Sequence, residues 1–110
     1  MKTENFLEKI PCHKANINWT CDHNNLVTLE IENKGIFNKL AQLLFKKPKI
    51  SYIHLDSMGS FIWQLIDNKT NITTIAENIK SRFGELAEPL YPRLLKYFQI
   101  LLSYNFVDMR

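Results

Sequence analysis

The chain has 110 residues, of which 45% are hydrophobic and 23% are charged, and its formal net charge is +3. This composition predicts one folded domain with a modest core and argues against a disordered chain. The N-terminal residues MKTENFLEKIP contain acids and no apolar stretch of the secretory type, and no apolar run approaches the ~20 residues that span a bilayer. We therefore expect a cytoplasmic protein without a membrane segment, consisting of a single domain over residues 1–110 with residues 1–15 as an N-terminal extension.

Three segments have the pattern of β-strands. Residues 16–20 alternate in polarity, and residues 26–32 do so more clearly, which predicts a sheet with one solvated face. Residues 49–55 are rich in β-branched and aromatic side chains and form the third predicted strand. Between the second and third strands, residues 35–47 carry apolar side chains at helical spacing and end before Pro48, which predicts an inserted helix.

Three further helices are predicted after the third strand. Asp56 is a suitable N-cap for the first of them, and Asn71 for the second, which Gly84 ends. The third runs from about Pro89 to Tyr104. The predicted fold class is α+β and winged-helix-like: a three-stranded antiparallel sheet followed by a three-helix bundle, with an extra helix between strands 2 and 3.

The last predicted helix has an apolar arc that covers about half of its circumference, which is more than one core contact requires. The side chains of this arc are Leu90, Tyr91, Leu94, Leu95, Tyr97, Phe98, Leu101, Leu102 and Tyr104. Two interpretations remain open. The helix is either a well-buried terminal helix, or one side of it packs in the core while the other lines a groove.

The two cysteines lie near the N-terminus, each with a histidine close by. Cys12 precedes His13, and Cys21 is two residues before His23. Zinc ligands usually come as tighter pairs, with a second pair further along the chain, and this sequence has no second cluster. It also has no phosphate-binding glycine loop. We therefore expect free thiols, no metal site and no cofactor.

Positive charge is concentrated in one segment, because no acid falls between Glu32 and Asp56. The lysines in that segment are Lys34, Lys39, Lys46, Lys47 and Lys49. A local field of this kind favours an anionic partner. A solvated lysine face that keeps the protein in solution explains the same residues, and the sequence leaves both interpretations open.

The order of these elements and the string HLDSMGSFIWQLIDNKTNITTIAENI resemble the PqqD family, small peptide-binding proteins also called RiPP recognition elements. The resemblance covers residues 16–107, and its most specific parts are Leu55-Asp56, Gly59, Ile62-Trp63 and Asp67. Two features depart from the family pattern. Asn68 stands where glycine is common, and the inserted helix at residues 35–47 is longer than the connection in the smallest members, so the surface near the third strand is expected to differ.

The resemblance implies that the leader of a precursor peptide adds as an extra strand beside the third strand and against the last helix. Backbone hydrogen bonds then give affinity, and pockets for alternate side chains give specificity. The candidate edge residues are Lys49, Ile50, Ser51, Tyr52, Ile53 and His54, and the candidate apolar wall is Leu94, Leu95, Phe98, Leu101 and Leu102. The nearby lysines suit an acidic leader. The resemblance also implies a second partner, a radical-SAM enzyme that modifies the peptide.

Two other classes of function are weaker. His54 is the one candidate for a general base, but no partner carboxylate or nucleophile is identifiable, so we expect no enzyme. A winged-helix DNA-binding regulator is the stronger alternative, because such domains read DNA with the first residues of a recognition helix. Residues 84–89 approach the last helix with two acids, and the first basic residue is Arg93. This favours a peptide over nucleic acid as the partner.

Overall fold

The computed structural model describes residues 3–15, 17–32 and 50–110. Its elements in chain order are α1 (Thr3–Glu8), β1 (Pro11–His13), β2 (Asn18–Cys21), β3 (Val27–Glu32), β4 (Ile50–His54), α2 (Ser57–Leu65), α3 (Ile72–Phe83), a 3-10 turn (Gly84–Ala87), α4 (Leu90–Ser103) and β5 (Val107–Met109). None of the helices in these ranges has the length and apolar character needed to cross a membrane.

Strands β2, β3 and β4 form an antiparallel sheet in that order. Leu29 of β3 lies at its centre, opposite Trp19 of β2 and Ile53 of β4, and is fully buried. The predicted α+β class, the antiparallel sheet and the helices after it are confirmed in these ranges. The inserted helix predicted at residues 35–47 lies outside the described residues, as does the lysine-rich segment that ends at Lys49.

The junction between β4 and α2 is held by two polar side chains. The Asp56 carboxylate accepts a hydrogen bond from the Gly59 N–H at 2.7 Å, which confirms Asp56 as the N-cap. The buried Ser60 hydroxyl accepts from the Val27 N–H at 2.8 Å and lies 3.2 Å from the Leu55 carbonyl oxygen, to which it donates. Helix α2 is therefore bonded to both the middle and the edge strand.

The ends of α3 are fixed as the sequence predicts. Asn71 caps the helix by accepting from the Thr74 N–H at 2.9 Å, and Gly84 ends it with a φ of 57°. Asn68, in the loop before α3, has a φ of 65°. Asparagine adopts this left-handed conformation more readily than most residues. The substitution of asparagine for the family's usual glycine is therefore compatible with the loop.

The predicted N-terminal extension is packed against the rest of the domain. Strand β1 pairs antiparallel with β5, and the Ile72 N–H at the start of α3 donates to the Lys9 carbonyl at 3.0 Å. Phe6 of α1 is 1% exposed, and its ring meets the Phe98 ring edge-on at 6.0 Å between centroids. Helix α1 and strand β1 are thus part of the core architecture, a feature that sequence analysis missed.

Candidate functional site

Strand β4 is the structural basis of the candidate site because it lies at one end of the sheet. Among the strands within the described ranges, β4 pairs with β3 alone. An edge strand presents a row of backbone donors and acceptors that can pair with another chain. The position of β4 is therefore compatible with strand addition.

The register identifies which backbone groups of β4 point outward. The Leu55 N–H donates to the Val27 carbonyl at 2.9 Å, so Leu55 faces β3. In an antiparallel ladder every second residue exchanges hydrogen bonds with the same neighbour, so Ile53 and Ser51 also face β3. The backbone N–H and C=O groups directed away from β3 are those of Ile50, Tyr52 and His54.

The side chains of β4 add exposed apolar area to this edge. Tyr52 is 58% exposed, and Ile53 is 37% exposed although it lies on the same face as the buried Leu29. His54 lies on the other face, where its Nδ1 is 2.9 Å from the Thr28 hydroxyl oxygen. A strand laid beside β4 would therefore cover apolar surface as well as backbone.

The predicted apolar wall on α4 divides into two groups. Leu94, Phe98 and Leu101 are at most 4% exposed and belong to the core, so they do not line an open groove in this structure. Leu95 and Leu102 are half-buried and pack against the core from its edge. The stripe of Leu94, Phe98 and Leu101 therefore agrees with the first of the two interpretations, a terminal helix that is well buried.

Helix α4 has two flanks beside this buried stripe, and contacts show what each one faces. On one flank the Tyr97 hydroxyl donates to the Gly59 carbonyl at 2.8 Å, just after the end of β4. On the other, the Lys80 ammonium of α3 donates to the Tyr91 hydroxyl at 3.2 Å. At 3.6 residues per turn, Leu95 and Leu102 share the Tyr91 flank.

The flank of Tyr97 carries exposed apolar side chains that the sequence analysis did not include in the candidate wall. Ile100 is 45% exposed and Tyr104 is 66% exposed, and helical spacing places both on the side of Tyr97. Because the Tyr97 hydroxyl bonds to Gly59 in the first turn of α2, this flank is the one that adjoins the β4–α2 junction. A helical wheel anchored on Tyr97 would have found these residues, but the sequence did not reveal which flank faces β4.

The β4–α2 junction is tightly packed around Gly59. A Cβ atom on Gly59 would lie 2.9 Å from the Asp56 carboxylate oxygen and 3.5 Å from the Tyr97 ring, which explains the glycine. Burial, followed by the nearby Asp56 carboxylate, raises the pKa of Tyr97 far above its ordinary value. The phenol therefore stays protonated and keeps its donor role. Between α2 and α4, a cavity of about 110 Å³ opens here, lined in part by Met58 and Arg93.

The cysteines and their neighbouring histidines do not converge. Cys12 is buried and Cys21 is exposed, and both are free thiols. His13 stacks on Trp63 at 4.1 Å between ring centroids, and its Nε2 lies 3.0 Å from the Trp63 carbonyl oxygen. Burial lowers the pKa of His13 from its ordinary value. Across the described ranges no three potential metal ligands form a group.

These features define a small α+β domain in which β4 is an edge strand of the sheet and the last helix contacts the start of α2. A family model described as Coenzyme PQQ synthesis protein D (PqqD) matches residues 28–107, which is most of the chain. The chain therefore belongs to the PqqD family, and the resemblance seen in the sequence is confirmed. Comparisons with curated proteins and with solved structures gave no match.

Family membership supports a role as a peptide-binding partner in the biosynthesis of PQQ and other peptide-derived products. It also implies a biosynthetic enzyme as a further partner, and PqqD proteins are accessory rather than catalytic. The matched segment contains β4, α2, α3 and α4, whereas α1 and β1 precede it.

Proposed function

We propose that this protein binds the leader of a ribosomally made precursor peptide and presents the peptide to a separate modifying enzyme of the radical-SAM class. The observation that carries the proposal is the position of β4 at the end of the sheet, with the backbone groups of alternate residues directed outward. Strand addition to such an edge is a recurrent mode of peptide recognition.

In the proposed complex the leader is an added strand beside β4. Its backbone exchanges hydrogen bonds with the outward groups of Ile50, Tyr52 and His54. Lys49, the remaining residue of the predicted edge, lies outside the described residues. Each backbone hydrogen bond contributes about 0.5–1.5 kcal/mol net, so three residues alone give modest affinity. Covering the exposed Tyr52 and Ile53 side chains supplies the apolar contribution.

The wall of the groove is proposed to be the Tyr97 flank of α4. Ile100 and Tyr104 are exposed there, and Tyr97 fixes the flank beside the end of β4. The predicted wall residues that remain partly accessible, Leu95 and Leu102, lie on the flank that faces α3. Leu94, Phe98 and Leu101 support the wall from the core.

An acidic leader fits the lysines between Glu32 and Asp56 and Arg93 beside the junction cavity. An exposed ion pair contributes only ~0–1 kcal/mol, so these charges adjust the affinity and association rate more than they hold the complex.

Amide hydrogen exchange tests the binding mode directly. The protein would be titrated with the leader of a precursor peptide encoded beside its own gene, and protection would be followed by NMR. We expect new protection at alternate residues, Ile50, Tyr52 and His54, because the amides of Ser51 and Ile53 already face β3.

Two outcomes would contradict this proposal. Protection that appears on β2 instead, at the outward amides of Trp19 and Cys21, would place the peptide on the opposite edge of the sheet. If the leader binds without changing amide exchange anywhere on β4, strand addition to β4 is ruled out. Faster modification of the precursor by its enzyme when the protein is added would support the presentation step.

Duplex DNA should bind weakly and without sequence preference. The start of α4 is preceded by the exposed acids Glu85 and Glu88, which repel phosphates where a recognition helix would dock. The guanidinium of Arg93 donates to the Leu86 carbonyl at 3.0 Å. A gel-shift titration with random and operator-like duplexes would measure this, and tight sequence-selective binding would favour the regulator alternative.

A further inference from the structure

We propose a second binding site, in a cavity between the β2–β3 turn and helices α2 and α3, that takes a carboxylate-bearing peptide segment of a partner protein. The cavity has a volume of about 330 Å³ and shares no lining residue with β4 or α4. It is therefore separate from the leader site, and its existence does not depend on leader binding.

Arg82 is the one charged residue that lines this cavity. Its guanidinium lies 5.3 Å from the centre of the Phe83 ring, and within residues 3–15, 17–32 and 50–110 it makes no ion pair. An arginine held over an aromatic ring keeps its planar set of donors available. Among the groups of a peptide, a carboxylate forms the strongest hydrogen bonds with a guanidinium, because it can accept from two of its N–H groups at once.

The other polar groups that line the cavity are neutral. They come from Asn24 and Asn25 of the β2–β3 turn and from Ser57 and Gln64 of α2. The acid of this turn, Asp22, does not line the cavity. Its carboxylate accepts from the N–H groups of Asn24 and Leu26 at 2.8 and 3.0 Å. The charge facing a ligand is therefore positive.

Part of this polar lining is hydrogen-bonded to helix α2. Asn25 has a φ of 62°, and its carbonyl lies 3.4 Å from the Gln64 side-chain nitrogen, which donates to it. The same nitrogen donates to the Ser60 carbonyl at 3.1 Å. Helix α2 thus contacts the turn through Gln64, which reduces the ordering that binding requires.

Two aromatic side chains also line the cavity. The Phe61 and Phe83 rings meet edge-on, with centroids 5.4 Å apart and an interplanar angle of 83°. A lining that combines aromatic rings with polar groups is suited to bury an apolar body and to orient a polar end. A phenylalanine next to a glutamate has this combination, which makes a short acidic and aromatic peptide the appropriate probe.

The test uses the full chain and two blocked dipeptides, acetyl-Phe-Glu-amide and acetyl-Phe-Gln-amide. In an NMR titration we expect the glutamate peptide to shift the side-chain amides of Asn24 and Asn25 and the Arg82 Nε–H in a saturable way. The glutamine peptide should bind about fivefold more weakly or worse, because it lacks the charge-assisted hydrogen bonds.

Arg82→Gln should remove this preference, so that both peptides bind about equally. Lys96→Gln, an exposed site outside the cavity, lowers the net charge by the same amount and should leave the preference intact. Equal affinities for the two peptides in the wild-type protein, an unchanged preference in Arg82→Gln, or no saturable shift at the cavity would each overturn the proposal. Leader binding at β4 is measured separately and does not decide this result.

Discussion

Replacing Tyr52 by proline should weaken leader binding at least about tenfold, while the domain remains folded. The Tyr52 N–H points away from β3, so its loss breaks no hydrogen bond between β4 and β3. Proline is tolerated on edge strands for this reason, but it cannot donate to an added strand. A lost hydrogen bond of about 1.4 kcal/mol corresponds to a factor of ten, and the leader carbonyl left without a donor adds to the effect.

Two variants separate the backbone from the side chain. Tyr52→Val removes the exposed ring but keeps the N–H, so we expect a smaller loss of affinity than for proline. Ser51→Pro removes an N–H that faces β3 and should lower the melting temperature, which makes it unsuitable as a binding test. Isothermal titration with the cognate leader, after circular dichroism of each variant, measures the difference. If Tyr52→Pro is folded and binds like the wild type, the leader does not pair with β4.

Local signals in the sequence were sufficient to predict the helix caps in the second half of the chain. Asp56 and Asn71 each accept from a backbone N–H three residues later, and Gly84 ends α3 with a positive φ. These interactions involve residues that are neighbours in sequence. Residue type and spacing therefore determine them almost completely.

The pairing of β1 with β5 could not be predicted in the same way. Each strand has three residues, which is too short to show a period, and Cys12 pairs with Asp108 near the other end of the chain. The apolar residues of α1 likewise gave no clear pattern, although Phe6 is buried against Phe98. Such elements form because tertiary contacts stabilise them, so local propensity does not reveal them.

The candidate site was predicted in part. Residues 50–54 were recognised as a strand, but the direction of each N–H depends on the register with β3, which a single strand's sequence does not contain. On α4, the apolar arc was visible in the sequence. What each flank of that arc contacts is shown by Tyr97 and Tyr91, whose partners, Gly59 and Lys80, come from other helices.

Phe98→Ala should lower the free energy of unfolding by about 3–5 kcal/mol, the range measured for buried aromatic residues truncated to alanine. Phe98 is fully buried, and its ring makes edge-on contacts with Phe6 at 6.0 Å and Tyr97 at 5.3 Å. The cavity would therefore disturb both the N-terminal helix and the residue that fixes α4 to the β4–α2 junction. For a domain of this size, we expect the melting temperature to fall by more than about 10 °C.

Truncations on the two flanks of α4 show whether any loss of leader binding comes from the wall or from the core. Leu102→Ala, at a half-buried position, should cost less than about 2 kcal/mol, and Tyr104→Ala, at a 66% exposed position, still less. Since the Tyr97 flank faces the end of β4, Tyr104→Ala should weaken leader binding more than Leu102→Ala does, despite its smaller effect on stability. Thermal melts and titrations on the same samples give both quantities. If Leu102→Ala instead weakens binding more than Tyr104→Ala, the wall lies on the flank of Leu95 and Leu102, two of the residues predicted from the sequence.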